Sequence, residues 1–241
     1  MRLPKGFVAK GAEKKLEELL DDYSNRSLFR IAGGYDRFNE TGKLYNQAVK
    51  ISKGIIYDQF NLEEFCKILY KLTNDCWAGN YVSALVNKII KPEDTFNLEF
   101  PGDLVLDGLG TALKQGKVYI LGDAGYSLGY HMYGGELCLR GNAAYLVGHN
   151  MLGGKIVVDG DAGDQAGFTM QGGEIIINGN AGKETGYDMD DGLITIHGDV
   201  VQAGWKLNGG KIMVHGKIKN ICGDHDLEGE IYEKGVKVWP L

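Results

Sequence analysis

Gly160-Asp-Ala-Gly-Asp-Gln-Ala-Gly-Phe-Thr-Met-Gln-Gly-Gly-Glu-Ile-Ile-Ile-Asn178 is one period of a repeat, and the stretches on either side say nearly the same thing. Gly122, Gly141, Gly160, Gly179 and Gly198 lie 19 residues apart, and Gly216 follows after 18. A glycine pair returns in register at 134/135, 153/154, 172/173 and 209/210, with Asp191-Gly192 and Glu228-Gly229 in the matching slots. Self-similarity at such a period marks a solenoid, in which each repeat buries its apolar face only against its neighbours.

After each glycine pair comes a run of alternating character: Glu136-Leu-Cys-Leu-Arg140, Lys155-Ile-Val-Val-Asp159, Glu174-Ile-Ile-Ile-Asn178, Leu193-Ile-Thr-Ile-His197 and Lys211-Ile-Met-Val-His215. The second and fourth positions are always branched aliphatics or leucine, and in a strand they share one face. Leu137/Leu139, Ile156/Val158, Ile175/Ile177, Ile194/Ile196 and Ile212/Val214 therefore read as stacked interior columns of a parallel β-helix with about 19 residues per coil. A crossover between parallel strands favours the right hand. The left-handed hexapeptide type is disfavoured because 19 does not divide by six.

A second set of columns precedes each glycine pair. Met132, Met151, Met170, Met189 and Leu207 form one, and Tyr130, His149, Phe168, Tyr187 and Trp205, two residues earlier, form another. The residues between them are polar, so alternation places both columns inside as core packing rather than as a cofactor box.

Several ladders imitate sites. Asp123, Asn142, Asp161, Asn180, Asp199 and Lys217 invite a calcium reading, but calcium-binding β-helices repeat every nine residues, and a ladder of turn residues is the simpler expectation. Glu136, Lys155, Glu174, Leu193, Lys211 and Glu230 read as an outward column of mostly alternating charge. His197 and His215 occupy one column on neighbouring coils, and their column-mates Arg140, Asp159, Asn178 and Lys234 favour a surface ladder over a metal site. Coils of near-constant length carry no inserted loop from which to build a cleft, and no catalytic, cofactor-binding or metal-binding residue is assigned. The outward position within each strand is different: Cys138, Val157, Ile176, Thr195, Met213 and Tyr232 make a contiguous, largely apolar column, which predicts a covered face. The N-terminal half or the C-terminal tail is one cover, and another subunit is the other.

The chain has two halves. Of its 37 glycines, 30 lie in residues 102–241, which puts a boundary near residue 100. Residues 1–100 read as a small helical domain and 101–241 as the β-helix. Helical periodicity is visible over about 10–23, again from Asn61 through Leu72, and in a third segment that carries Trp77, Tyr81, Leu85 and Ile89 and stops before Pro92. Gly33-Gly34-Tyr35-Asp36 is a loop without a phosphate-binding motif. Cys66, Cys76, Cys138 and Cys222 show no zinc or iron–sulfur spacing. A formal charge of −6 offers no basic stripe for nucleic acid, and no long apolar run or secretory leader is present. The expectation is a cytoplasmic protein with reduced thiols.

The unit Gly-Asp/Asn-Ala-Gly-x-x-x-Gly-x-x-Met-x-Gly-Gly-x-Ile-x-Val/Ile-x-Gly resembles the repeat of the β-helical subunit of formylmethanofuran dehydrogenase and, more distantly, the C-terminal β-helix of the glutamate synthase large subunit. The resemblance covers about residues 103–235. It implies a non-catalytic scaffold in a redox complex whose other subunits hold molybdopterin with molybdenum or tungsten and iron–sulfur clusters. Self-association is compatible with that role. A stand-alone binding or regulatory protein related to glutamate synthase is the alternative.

Overall fold

The computed structural model describes residues 78–100, 105–222 and 228–240, together with Asn46, Leu62 and Cys66, each helical. The segments expected to be helical over 10–23 and 61–72 lie outside the described residues apart from Leu62 and Cys66, as do Gly33 to Asp36 and Cys76.

Helix α1 spans Ala78–Ile89 and realises the third expected helical segment. Val82, Leu85 and Val86 share its buried face, and Lys88 lies in its last turn, where a cation complements the carbonyl end. Pro92 restricts Lys91 to extended backbone and stops the helix. The helix caps the first coil. Ser83 donates to the Gly108 carbonyl (2.9 Å), Asn87 to the Thr111 carbonyl (2.8 Å), and Gln115 donates back to the Ile90 carbonyl (2.8 Å). These bonds satisfy carbonyls of the first described coil and of the segment that leaves the helix.

The rest is a parallel β-solenoid of about seven turns. Among the described residues one sheet has nine strands: β1 (Thr95–Glu99), β2 (Lys117–Leu121), β3 (Glu136–Arg140), β4 (Lys155–Val158), β5 (Gln171–Ile177), β6 (Asp191–Ile196), β8 (Lys211–Val214), β10 (Glu230–Glu233) and β11 (Val236–Trp239), in that spatial order. A smaller sheet pairs β7 (Val200–Ala203) with β9 (Ile218–Ile221). All neighbours are parallel except β10 and β11, which form a closing hairpin. The sheet thus begins at Thr95, upstream of the boundary drawn near residue 100 from glycine and proline usage.

Register follows the repeat: Leu137 stands on Ile156, Ile156 on Ile175, Ile175 on Ile194 and Ile194 on Ile212. These side chains have no solvent exposure, and each contributes roughly 1.5–3 kcal/mol of burial. The Met column is interior as expected, and Met132, Met151, Met170, Met189 and Leu207 are all fully buried. Its geometry explains the second glycine of each pair. A β-carbon at Gly192, whose φ is +106°, would sit 2.7 Å from the Met170 methyl and 2.8 Å from the Gly173 carbonyl oxygen. The thioether methyl therefore occupies the space that a side chain would need.

The aromatic column does not lie inside with the methionines, except at His149, which is buried. Tyr130, Phe168 and Tyr187 are half-exposed, and Trp205 is 46% exposed. Alternation fails because the segment is a run of turns and not a strand. The intervening residues His131, Asn150, Thr169, Asp188 and Lys206 are all left-handed, with φ between 51° and 55°, which turns successive side chains away from the strand rule. The aromatics instead stack along the outside, with centroids 5.0 to 6.0 Å apart from Tyr130 through Trp205. The place inside is filled by Leu128, Val147, Ala166, Thr185 and Ala203, and by the bridge column Ala124, Ala143, Ala162, Ala181 and Val200.

Candidate protein-docking face

The outward surface of the nine-stranded sheet is three columns wide, because in the five-residue runs that begin at Lys117, Glu136, Lys155, Glu174, Leu193, Lys211 and Glu230 the first, third and fifth residues point away from the core. In the middle column Tyr119, Cys138, Val157, Ile176, Thr195, Met213 and Tyr232 are consecutive backbone partners. All are half-exposed. The sequence reading omitted Tyr119, although Lys117-Val-Tyr-Ile-Leu121 carries the same alternation. Asn97 extends the column on β1 and Lys237 on β11.

The entrance column supplies the charge ladder. Lys117 pairs with Glu136 (3.0 Å), Lys155 with Glu174 (2.9 Å), and Lys211 with Glu230 (2.9 Å), while Lys237 reaches Glu230 from β11 (3.0 Å). Leu193 interrupts the ladder and separates its halves. Lys211 and Lys237 hold the Glu230 carboxyl at about 2, below the usual carboxylate range. The apolar column borrows from this ladder. The Lys117 ammonium lies 5.0 Å from the Tyr119 ring centre and that of Lys211 lies 6.0 Å from the Tyr232 ring centre. Cys138 donates to Glu136 (3.3 Å), and burial, with that carboxylate beside it, pushes the thiol up to about 11. A thiol so held is largely protonated at neutral pH and is a poor nucleophile. Its role on the face is packing.

The exit column runs Leu121, Arg140, Asp159, Asn178, His197, His215 and Lys234, and its backbone ladder continues through the Lys234 amide, which donates to Val214 (2.8 Å). The His197 and His215 rings stack 4.8 Å apart and 6° from parallel. Among the described residues, no group of three or more His, Cys, Asp or Glu side chains is placed to hold a metal ion.

The Asp/Asn ladder is likewise accounted for within the backbone. Asp123 accepts from the Asn142 amide (2.7 Å), Asn142 from Asp161 (2.9 Å), Asp161 from Asn180 (2.7 Å), Asn180 from Asp199 (2.9 Å) and Asp199 from Lys217 (2.8 Å). Each side chain takes up the amide of the next coil, the role of a turn residue.

No family model matches the chain, and no curated protein matches it. No helix among the described residues is long and apolar enough to cross a membrane.

Proposed function

We propose that this chain is a non-catalytic scaffold that works by protein–protein contact, as a structural subunit of a redox assembly of formylmethanofuran-dehydrogenase type. The observation that carries the reading is the half-exposed apolar column from Tyr119 to Tyr232, unbroken over seven strands and flanked by charge. Apolar side chains repeated in register on an outward face mark a surface for contact. The repeat resemblance supplies the kind of assembly: its other subunits carry molybdopterin with molybdenum or tungsten and iron–sulfur clusters, and this chain carries no cofactor of its own. A right-handed coil and a cytoplasmic location belong to the same proposal.

Affinity purification of the tagged, full-length chain from its native cell tests this. Co-purification of oxidoreductase subunits containing molybdenum or tungsten is expected. The double variant Val157→Lys with Ile176→Lys should lose them while keeping its melting temperature, because an unpaired ammonium is costly only where water is excluded. A chain that purifies without such subunits, or with glutamate-synthase-like polypeptides instead, overturns the assignment.

A further inference from the structure

The occupant that the sheet face meets first can be read from its charges, on the basis of the docking role proposed above. Three coils carry opposite signs at the two ends of their outward face: Glu136 with Arg140, Lys155 with Asp159, and Glu230 with Lys234. Two copies of the face can be brought together about a two-fold axis in either of two directions. An axis parallel to the strands inverts the order of coils about Ile176. It matches Lys117 with Glu230 and Glu136 with Lys211, but sets Glu174 against its own copy. An axis parallel to the stack sets each coil against its own copy with strands antiparallel, so that the entrance column meets the exit column. Glu136 then faces Arg140, Lys155 faces Asp159 and Glu230 faces Lys234, each pair made twice. The other coils oppose Lys117 to Leu121, Glu174 to Asn178, Leu193 to His197 and Lys211 to His215, so no like-charged pair arises over these seven strands while the histidines are neutral, and Lys237, which meets its own copy at the β11 end of the column, is paired within its own chain with Glu230 (3.0 Å).

We propose that this face is the interface of a coil-in-register homodimer whose two-fold axis runs along the apolar column, and that larger assembly is built on the dimer. An interface of this kind is isologous: each apolar residue of the column meets its own copy, and the charges of three coils meet their complements. Seven strands about 4.8 Å apart, each about five residues long at about 3.3 Å per residue, make a face of about 550 Å². Two such faces bury about 1,100 Å², at the lower end for a specific interface. The dimer is therefore concentration-dependent and weakens with salt.

Sedimentation velocity on the full-length chain over a range of concentrations tests this. A reversible monomer–dimer equilibrium is expected. Asp159→Lys sets a lysine opposite Lys155 of the second copy, and Lys155→Glu sets a carboxylate opposite Asp159. Each single variant should weaken dimerisation by about tenfold while circular dichroism shows the fold retained. An equal mixture of the two should dimerise again, because unlike charges return at both contacts of the heterodimer. As a second probe, Val157→Cys in a Cys138→Ser background should cross-link to itself through a short bismaleimide, which the coil-inverting arrangement does not allow. A wild-type chain that stays monomeric at every concentration, or single variants that do not recombine, overturns the proposal. A monomer that still captures the oxidoreductase subunits sinks the dimer and spares the scaffold. A dimer that captures none does the reverse.

Discussion

His149 sits in the outer aromatic stack between Tyr130 and Phe168, at centroid distances of 5.0 and 5.2 Å, and only 5% of its surface reaches solvent. Burial, with His131 nearby, depresses its pKa from 6.5 to about 4. The charged form is thus disfavoured in the folded chain but not in the unfolded one, so below pH 6.5 the unfolded state binds the additional proton. Stability is expected to fall as pH drops from about 6.5 toward 4, and to be nearly insensitive to this group above pH 7. Between pH 7 and pH 5 the linkage amounts to about 2 kcal/mol, out of a limiting value of roughly 3 kcal/mol. For a chain of this size that is a fall of roughly 4–8 °C in melting temperature. Urea denaturation followed by circular dichroism at pH 7, 6 and 5 measures it. His149→Phe supplies the control, since an aromatic ring at that level continues the stack of Tyr130 and Phe168 without a titrating group. The difference in stability between wild type and His149→Phe should change by about 2 kcal/mol over this range, with every other group common to both chains. Parallel pH profiles for the two chains would refute the reasoning.

Further outcomes follow from the core and its ladders. Met170→Leu should cost under about 1.5 kcal/mol by urea denaturation, since Leu207 already holds the same position one coil short of the C-terminal hairpin, whereas Met170→Ala should cost about 2–5 kcal/mol; equal losses would mean that the site is not close-packed. Gly192→Ala should destabilise through both its positive φ and the Met170 methyl, and Met170→Ala in the same chain should recover part of that loss. Asp161→Asn should leave the melting temperature nearly unchanged, because the asparagines above and below make the same bond to the next coil's amide. Asp161→Ala should cost about 1 kcal/mol, and an alanine variant as stable as wild type would remove the ladder from the account of stability. The Glu230 carboxyl should titrate near 2 by NMR, and should move upward toward 4.5 in Lys211→Met; its favourable pairing is present above about pH 4.5 and lost as pH falls toward 2.

Period-2 patterning made the strands legible, because an extended backbone leaves side-chain direction no freedom: Ile156, Ile175 and Ile194 fill the interior, and Val157, Ile176 and Thr195 the outer face. The Met column was legible for a different reason. Its regular recurrence beside glycine implied a fixed packing slot. The aromatic column misled because alternation was carried into a segment of left-handed backbone, a conformation that His131, Asn150 and Asp188 favour by residue type but that Thr169 and Lys206 do not advertise. The same error hid the wall made by Leu128, Val147 and Ala166, which vary in size and so lack a visible motif. β1 escaped the repeat because its outward residues Thr95, Asn97 and Glu99 are exposed and it lacks the glycine pair. On the docking face the six expected residues are in register, yet the contacts of Lys117 with the Tyr119 ring along β2 and of Lys211 with the Tyr232 ring on the neighbouring strand depend on side-chain rotamers, which spacing alone does not supply.

A stack of identical parallel coils has no intrinsic last member, since the edge of each coil is a template for the next. In this chain the reversal of β11 ends the series. By pairing antiparallel to β10 it replaces the evenly spaced donors and acceptors of a parallel edge with a different pattern, and it places Lys237 beside Glu230 on the terminal edge. The final hairpin is in this sense a polymerisation stop. A chain cut before Val236 keeps every coil of the solenoid but bares a strand edge of the same hand and spacing as the one on which it was built. Such a chain should grow end to end into filaments, their length limited by how well α1 shields the opposite end.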